Sequence, residues 1–215
     1  MPTSPHLQET RSAYDAVAAL YTDFARDALD HLPFDRAMLA AFAELVRDAG
    51  TVADLGCGPG IVTAHLRTLG VTAFGIDLSP EMVAIARQDH PGLRFDVGSM
   101  TALDIPDGSL AGILAYYSVI HTPPALVPTI LGEFHRTLTP GGHALLAFFA
   151  DDQGSLEPRP FDHKVSLAYR WPPDLLSRLL HDAGLAETAR LVREPAEGQR
   201  FLHGCLLVRK PLASA

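Results

Sequence analysis

Short apolar runs alternate with longer amphipathic stretches through most of the chain from residue 51 onwards. The runs are too short for helices, and they are apolar at nearly every position, as in strands that are buried on both faces. The pattern predicts strands over residues 51–55, 71–76, 93–97, 110–117 and 143–149, with helices over about 60–69, 80–89 and 124–138 between them. Such alternation is typical of a parallel sheet covered by helices on both sides.

Both ends of the chain depart from this alternation. Residues 7–46 are predicted to be helical, with a break near Leu32–Pro33. The second of these helices repeats apolar residues at the spacing of one buried face, namely Phe34, Met38, Leu39, Phe42, Leu45 and Val46. After Asp151 the regular pattern gives way to an irregular stretch that reaches Trp171. A helix over 173–183 and strands over 185–192 and 200–208 complete the prediction.

Length, composition and charge exclude several classes of protein. A chain of 215 residues with 47% hydrophobic and 20% charged residues is expected to fold as one domain. Its densest apolar run, Ala144–Ala150, has seven residues, far too few for a membrane span, and Met1–His6 lacks the features of a secretory signal. A net charge of −8 argues against nucleic-acid and anionic-membrane partners. Two cysteines provide no disulfide framework, so a reducing cytoplasm is expected.

The first predicted strand runs into a glycine-rich loop, Asp54–Gly60. Glycines allow a tight turn and let a ligand lie against the backbone, although a tight turn alone is also a valid interpretation. A dinucleotide site of the Gly-x-Gly-x-x-Gly type would need glycine at position 61, where the chain has Ile61. Asp77 ends the second strand, where a carboxylate can accept hydrogen bonds from ribose hydroxyls. Loop and acid together favour a nucleoside-binding site.

Three motifs resemble those of class I S-adenosylmethionine-dependent methyltransferases. Val52–Gly60 is similar to the family's first motif, and Gly75–Met82 to its second-strand motif. Glu133–Gly142 resembles the passage from helix to fifth strand. The resemblance extends over about Tyr14–Val208 and is to small-molecule, type 11-like members. It implies an α/β, Rossmann-like, doubly wound fold with a mainly parallel seven-stranded sheet, helices on both faces and an N-terminal helical lid.

The resemblance also implies a set of cofactor-binding residues. Asp54 would help to hold the ammonium group of S-adenosylmethionine, and Asp77 its ribose hydroxyls. Ser99 stands where the family often has an acidic residue against the adenine, so that hydrogen bond would lack a charge. Tyr14 and Tyr21, seven residues apart, share one helix face and are either lid residues or core aromatics. The whole implied set is Tyr14, Tyr21, Asp54, Gly56, Cys57, Gly58, Gly60, Asp77, Leu78, Met82, Gly98, Ser99, Met100, Ala115, Tyr116 and His121.

Two segments supply candidates for the methyl acceptor's side of the site. His121 follows the fourth strand and aligns with a histidine common in the family, where it would act as a catalytic base, contact the cofactor or order the loop. His163 lies in the irregular segment after the fifth strand, where the family inserts its substrate cap. With Tyr169, Arg170 and Trp171 it would line the acceptor pocket, the alternative being a solvated loop with a packing tryptophan.

Two subclasses of methyltransferase lack their motifs here. Metal-dependent enzymes of the catechol type place acidic ligands after the fourth strand, and Tyr116–His121 contains none. Asp151–Asp152 alone is not a metal site, so no metal is expected. Enzymes that methylate nucleic acid or glutamine carry an Asn or Asp before Pro-Pro-aromatic, whereas this chain has His121–Ala125, with both prolines but neither the amide or acid nor the aromatic.

The sequence therefore predicts a metal-independent methyltransferase that acts on an oxygen or nitrogen of a small molecule, as a monomer or a homodimer. The alternatives are a cofactor-binding sensor or scaffold without turnover, and a nicotinamide-dependent oxidoreductase. The expected division of the single domain is a helical lid over 1–48, a cofactor-binding core over 51–150, a substrate cap over 151–172 and a C-terminal helix with strands over 173–215.

Overall fold

A seven-stranded sheet forms the centre of the computed structural model, which describes residues 5–151 and 154–212. The strands are β1 Val52–Leu55, β2 Ala73–Asp77, β3 Phe95–Val97, β4 Leu110–Tyr116, β5 Leu138–Ala150, β6 Arg159–Asp162, β7 Leu167–Arg170, β8 Ala186–Arg193 and β9 Leu202–Arg209. The sheet order is β3-β2-β1-β4-β5-β9-β8. Strand β9 is antiparallel to β5 and β8, and the other six strands run in one direction. The mainly parallel, doubly wound sheet is thus confirmed. Met1–Ser4, which belong to the segment tested for a secretory signal, lie outside the described residues, as do Asp152 and the last three positions of the 173–215 segment.

Helices cover both faces of this sheet. They are α1 Pro5–Ala25, α2 Pro33–Val46, α3 Ile61–Thr68, α4 Pro80–Asp89, α5 Val127–Thr137 and α6 Pro173–Asp182, with 3-10 turns at Ala28–His31, Val119–His121 and Pro124–Leu126. The buried residues of α5 and α6 share one apolar cluster with one side of the strands. Those of α2 and α3 share a second cluster with the other side. Within the described residues, none of the helices has the length and apolar character to cross a membrane.

Three segments differ from the sequence prediction. The helix expected over 124–138 begins as a 3-10 turn, and α5 proper starts at Val127. Strand β5 begins at Leu138, five residues earlier than expected, because Leu138 pairs with Leu110 before a bulge in the ladder. The stretch predicted as irregular contains an antiparallel hairpin, β6–β7, in which Phe161 pairs with Ala168. That pairing is not visible as an apolar run, because each strand has only four residues and includes a charged one.

The buried face of α2 is turned relative to the predicted one. Phe34 and Leu45 are 56% and 47% exposed, whereas Asp35 is buried. The carboxylate of Asp35 accepts hydrogen bonds from Arg193 Nε at 3.0 Å and from the Tyr116 hydroxyl at 2.9 Å. A buried carboxylate is tolerated where a buried cation and hydroxyls satisfy it. This polar contact sets the phase of the helix and ties α2 to β4 and to the edge strand β8.

Candidate active site

The carboxyl ends of β1, β2 and β4 meet at one edge of the sheet, and α1 lies across them. Between α1 and the strand ends is a cavity of about 110 Å³. Ligand pockets in proteins usually offer several hundred Å³, so this cavity is narrow for a nucleoside-sized ligand. The walls of the cavity come from the β1 loop, the ends of β2 and β4, the residues after β3, and the first five turns of α1.

The loop after β1 needs glycine because of its backbone and because of its neighbours. Gly56 has a φ of +75° and Gly58 a φ of +52°, both in the left-handed region that favours glycine. A Cβ atom on Gly56 would lie 2.2 Å from the Cβ of Ser118, whereas one on Gly58 would meet nothing within 4 Å. The β1 loop therefore packs directly against the loop after β4, and the two form one continuous wall of the cavity.

We expect Gly56→Ala to lower the free energy of unfolding by about 2–5 kcal/mol, since it adds both backbone strain and a clash with Ser118. Gly58→Ala is the matched control, because it adds only the strain, of about 1–2 kcal/mol. Urea unfolding of both variants measures the difference. Equal losses in the two variants would show that the contact between Gly56 and Ser118 is absent.

Asp77 connects this loop to the end of β2. Its Oδ2 accepts a hydrogen bond from the backbone N–H of Gly58 at 2.7 Å, and its Oδ1 accepts one from the N–H of Ser79 at 2.8 Å. Burial raises the pKa of Asp77, and these backbone hydrogen bonds oppose the rise. The carboxylate faces the cavity and keeps lone pairs free, which fits the hydroxyls of a ribose.

Asp54, the carboxylate just before the glycine loop, is buried beneath the cavity floor. Its Oδ2 accepts a hydrogen bond from the Thr63 hydroxyl at 2.6 Å, while its Oδ1 has no partner among the described residues. Burial raises the pKa of Asp54 to about 7, against the effect of the Thr63 hydrogen bond. An unpartnered buried carboxylate oxygen fits a cation such as the ammonium group of a methionine moiety.

If Asp54 holds an ammonium group, its raised pKa makes ligand binding depend on pH. The ammonium group would stabilise the ionised carboxylate, so binding would release the proton that Asp54 holds below about pH 7. Affinity for S-adenosylhomocysteine should therefore fall roughly tenfold from about pH 8 to about pH 6. Calorimetric titration across that range measures the slope. Asp54→Asn should remove it, and a slope retained in that variant would assign it to another group.

Helix α1 closes the cavity and is anchored at α4. The Asp15 carboxylate accepts a hydrogen bond from the Ser79 hydroxyl at 2.5 Å, and that hydroxyl accepts the N–H of Met82 as the N-cap of α4. The rings of Tyr14 and Tyr21, on the cavity side of α1, meet edge to face at 5.6 Å. Burial raises the pKa of both hydroxyls, and the Asp77 charge adds to the rise.

His121 joins this helix to the β6–β7 hairpin. The Leu167 carbonyl can only accept, so Nδ1 of His121 donates to it at 2.9 Å. The other ring nitrogen, Nε2, therefore accepts a hydrogen bond from the Tyr14 hydroxyl at 2.7 Å. Burial lowers the pKa of His121 to about 4, so the imidazole is neutral at physiological pH. Tyr14, His121 and Leu167 form a clasp across the mouth of the cavity.

The structure brings together most of the residues expected to bind the cofactor. Those that line the cavity are Tyr14, Tyr21, Gly56, Gly58, Asp77, Leu78, Gly98, Ser99, Met100, Tyr116 and His121. Asp54 and Ala115 are buried in strands behind the wall, and Met82 is buried in α4. Cys57 belongs to the apolar cluster around Phe95, and Gly60 packs against the same ring. These five residues support the wall without forming its surface.

The four residues expected around the acceptor are spread more widely. The His163 ring lies 5.0 Å from that of His121, so it sits just behind the cavity wall. Trp171 is 1% exposed and belongs to the main apolar cluster, and Tyr169 packs against that cluster. The indole of Trp171 thus packs in the core beneath the hairpin, as in the alternative of a packing tryptophan. Arg170 lines a separate cavity.

Other wall residues were missed by the sequence analysis. His6, Leu7, Thr10 and Arg11 line the cavity from the first turns of α1, and Thr101, Tyr117, Ser118, Thr122 and Ile130 line it elsewhere. The seven-residue spacing of Tyr14 and Tyr21 continues back to Leu7 and could have extended the lid face. Ser118 Oγ is buried without a partner in the described part of the chain, which makes it a further polar group for a ligand.

The fold and this cavity define an α/β domain with a helix across the carboxyl ends of its parallel strands. Residues 52–142 match the family model described as "Methyltransferase domain". The match begins at β1 and ends within β5, so it includes the glycine loop and Asp77. The core of the chain therefore matches a methyltransferase domain, and the comparisons support a class I S-adenosylmethionine-dependent methyltransferase.

Curated relatives agree with this assignment. Malonyl-[acyl-carrier protein] O-methyltransferase of Pectobacterium atrosepticum is 33% identical over 128 residues, which cover 54% of this chain and 49% of that protein. Demethylmenaquinone methyltransferase of Chlorobaculum parvum is 31% identical over 143 residues, which cover 63% and 58%. The chain thus spans about half the length of the curated relatives it matches.

A solved structure supports the fold. The Burkholderia thailandensis 1,6-didemethyltoxoflavin-N1-methyltransferase, crystallised with bound 1,6-didemethyltoxoflavin and S-adenosylhomocysteine, superposes with a TM-score of 0.66. The comparison covers 98% of this chain and 92% of that one at 22% identity. The likeness extends over the lid, the sheet and the hairpin alike.

Proposed function

We propose that the protein transfers the methyl group of S-adenosylmethionine to an oxygen or nitrogen atom of a small molecule, without a metal ion. The observation that carries the proposal is the placement of Asp77, which holds the glycine loop by Gly58 and still faces a cavity closed by α1. The relatives' names, which include an O-methyltransferase for malonyl-[acyl-carrier protein], support methyl transfer. We infer a cytoplasmic monomer or homodimer, and its −8 charge argues against nucleic acid as substrate.

The proposed roles follow from the walls of the cavity. When bound, S-adenosylmethionine supplies an electrophilic methyl group on a sulfonium. Asp77 would hold the ribose, Asp54 the ammonium group, and Ser99 with the Met100 backbone the adenine. Since transfer is an in-line displacement, the main task of the protein is alignment, for which proximity can account for about 7–11 kcal/mol.

Charge supports the choice of a cationic cofactor. Two carboxylates without a cationic partner among the described residues lie at the cavity, Asp54 beneath it and Asp77 in its wall. No described lysine lines it, and the lining Arg11 is paired with Asp15 at 3.6 Å. Such a field stabilises a sulfonium more than the neutral thioether that remains after transfer. It therefore favours binding of the substrate form over the product.

His121 is better suited to position the lid than to act as a base. The lone pair on Nε2, which a base would use, already accepts the Tyr14 hydroxyl. A pKa of about 4 also makes the imidazole a weak acceptor for a proton at neutral pH. We assign His121 the role of a clasp. We also propose three functional segments: the lid over 1–48, the core over 51–150 and the cap over 151–172.

The decisive experiment combines binding and turnover. Calorimetry with S-adenosylhomocysteine should give saturable, one-site binding, and labelled S-adenosylmethionine should transfer its methyl group to some member of a panel of small hydroxyl and amino compounds. Binding without transfer across a broad panel would favour a sensor or scaffold. Binding of NADH in place of S-adenosylhomocysteine would favour the oxidoreductase.

We expect turnover to be insensitive to metal removal. Among the described residues no group of three or more His, Cys, Asp or Glu side chains could hold a metal ion. Treatment with EDTA should leave the rate of methyl transfer unchanged, and added magnesium should not raise it. Loss of activity that magnesium restores would reveal a metal site and would contradict the proposed mechanism.

A further inference from the structure

A second cavity, of about 260 Å³, opens at the end of β5, beside the β6–β7 hairpin. We call it the arginine cleft, since Arg170 and Arg200 line it together with Asp151, Glu194 and Phe201. Grouped arginines stand out in a chain with a net charge of −8. Their surroundings decide whether these charges are already neutralised.

Arg170 is mostly buried and poorly neutralised. Its side chain is 19% exposed, and its Nε has no hydrogen-bond partner in the part of the chain that the structure describes. The carboxylate of Asp151 lies 3.9 Å away, whereas the same oxygen lies 3.0 Å from Arg159. One buried carboxylate is therefore shared by two arginines. A buried guanidinium with an unpaired N–H is a ready donor for an added acceptor.

Arg200 brings a second positive charge to the same place. The guanidinium carbons of Arg170 and Arg200 lie 4.5 Å and 4.9 Å from the centre of the Phe201 ring. Arg200 also donates to the carbonyl of Asp162 in the hairpin, at 3.4 Å. Because both guanidinium groups pack against the Phe201 ring, their positive charges repel each other unless an anion lies between them. The exposed carboxylate of Glu194, on the cleft's rim, is the other negative group that lines it.

A run of aromatic contacts connects the arginine cleft to the cofactor cavity. The His121 ring, in the cavity wall, meets His163 at 5.0 Å, and His163 meets Phe161 at 6.0 Å. Phe161 in turn meets Phe201 at 4.9 Å, beneath the two arginines. An elongated molecule with its reacting atom near His121 would thus cross an aromatic surface and place its other end at the cleft.

We propose that the arginine cleft binds an oxyanion, a carboxylate or a phosphate, carried by the methyl acceptor. This inference rests on the proposed methyl transfer. Arg170 would donate its unpaired N–H, and Arg200 would approach from the solvent side. The planar guanidinium groups suit the paired oxygens of either anion. The acceptor is therefore an acid with an apolar or aromatic body rather than a neutral or basic molecule.

Calorimetry tests the cleft without the acceptor. Inorganic phosphate and benzoate are titrated at constant ionic strength into protein saturated with S-adenosylhomocysteine. We expect saturable binding of at least one probe, and the preferred probe distinguishes a phosphate from a carboxylate. Arg170→Met and Arg200→Met should each weaken that binding at least tenfold. Arg47→Met removes an arginine whose side chain is 50% exposed and outside the cleft, and it should bind like the parent protein.

Equal binding in the parent protein, Arg170→Met and Arg200→Met would overturn the proposal. Arg200 is exposed, so its variant remains informative even if loss of the buried Arg170 prevents folding. In turnover assays the preferred probe should compete with the acceptor, raising its KM and leaving kcat unchanged. Inhibition that lowers kcat alone would show that the acceptor does not occupy the arginine cleft. If these tests fail while the parent protein still binds S-adenosylhomocysteine and transfers methyl groups, only the proposed anion site is refuted. If the parent protein does not bind S-adenosylhomocysteine, the proposed function itself is refuted.

Discussion

Asp77→Ala should weaken S-adenosylhomocysteine binding at least tenfold, with little or no saturable binding left. The variant would lose the two charge-assisted hydrogen bonds that we propose Asp77 makes to the ribose, each worth about 1.5–3 kcal/mol. It also frees the backbone N–H of Gly58, which Asp77 holds at 2.7 Å, so the glycine loop loses its support. Calorimetric titration measures the dissociation constant, and circular dichroism establishes that the variant is folded.

Asp96→Ala is the matched control for Asp77→Ala. Asp96 lies on β3, the strand beside β2, where it is 39% exposed and paired with Arg94 at 2.6 Å. It is absent from the cavity wall, so its removal should leave the dissociation constant unchanged. Asp77→Asn separates charge from shape and should fall between the two. A parent-like dissociation constant in Asp77→Ala would remove this carboxylate from the site.

His121→Ala should accelerate the dissociation of S-adenosylhomocysteine roughly tenfold or more. Two groups lose their partner together: the part-buried Tyr14 hydroxyl, whose unsatisfied state costs about 1–3 kcal/mol, and the exposed Leu167 carbonyl, which water can satisfy. Tyr14→Phe removes one of these hydrogen bonds and should have a smaller effect. The double variant should resemble His121→Ala, because both changes open the same clasp.

Stopped-flow release of the ligand measures these rates, and kcat under saturating cofactor tests the alternative role of His121. If His121 acted as a general base, His121→Ala would lower kcat about 100-fold or more and leave cofactor affinity unchanged. That result would contradict the role of a clasp. His181→Ala is the control histidine variant, since that side chain is 82% exposed on α6. It should match the parent protein in both measurements.

Elements governed by local chemistry could be predicted closely from the sequence. Helix α4 begins at Pro80 and ends at Asp89 as expected, because Ser79 caps it and Pro80 fixes its first φ angle. Strand β4 could be predicted because burial on both faces leaves an uninterrupted apolar run. The glycine loop and Asp77 could be located because their residue types are tied to single positions next to strand ends.

Features that depend on distant partners could not be predicted in this way. The phase of α2 is set by Asp35, whose partner Arg193 lies 158 residues away. The hairpin β6–β7 has no apolar run of its own, and Trp171 is placed by the core that forms beneath it. The roles of Arg170 and His121 likewise depend on Phe201 and Leu167, which only the folded chain brings close.

The clasp has a consequence for the order in which ligands enter and leave. The His121 imidazole is hydrogen-bonded through Nε2 to Tyr14 on α1 and through Nδ1 to Leu167 of the hairpin. When the helix is raised, His121 loses one of the two bonds that fix its ring, and the hairpin loses a well-oriented donor. The proposed acceptor surface would thus be complete only after the nucleoside is enclosed. Catalysis should follow a compulsory sequence, with S-adenosylmethionine first to arrive and S-adenosylhomocysteine last to depart.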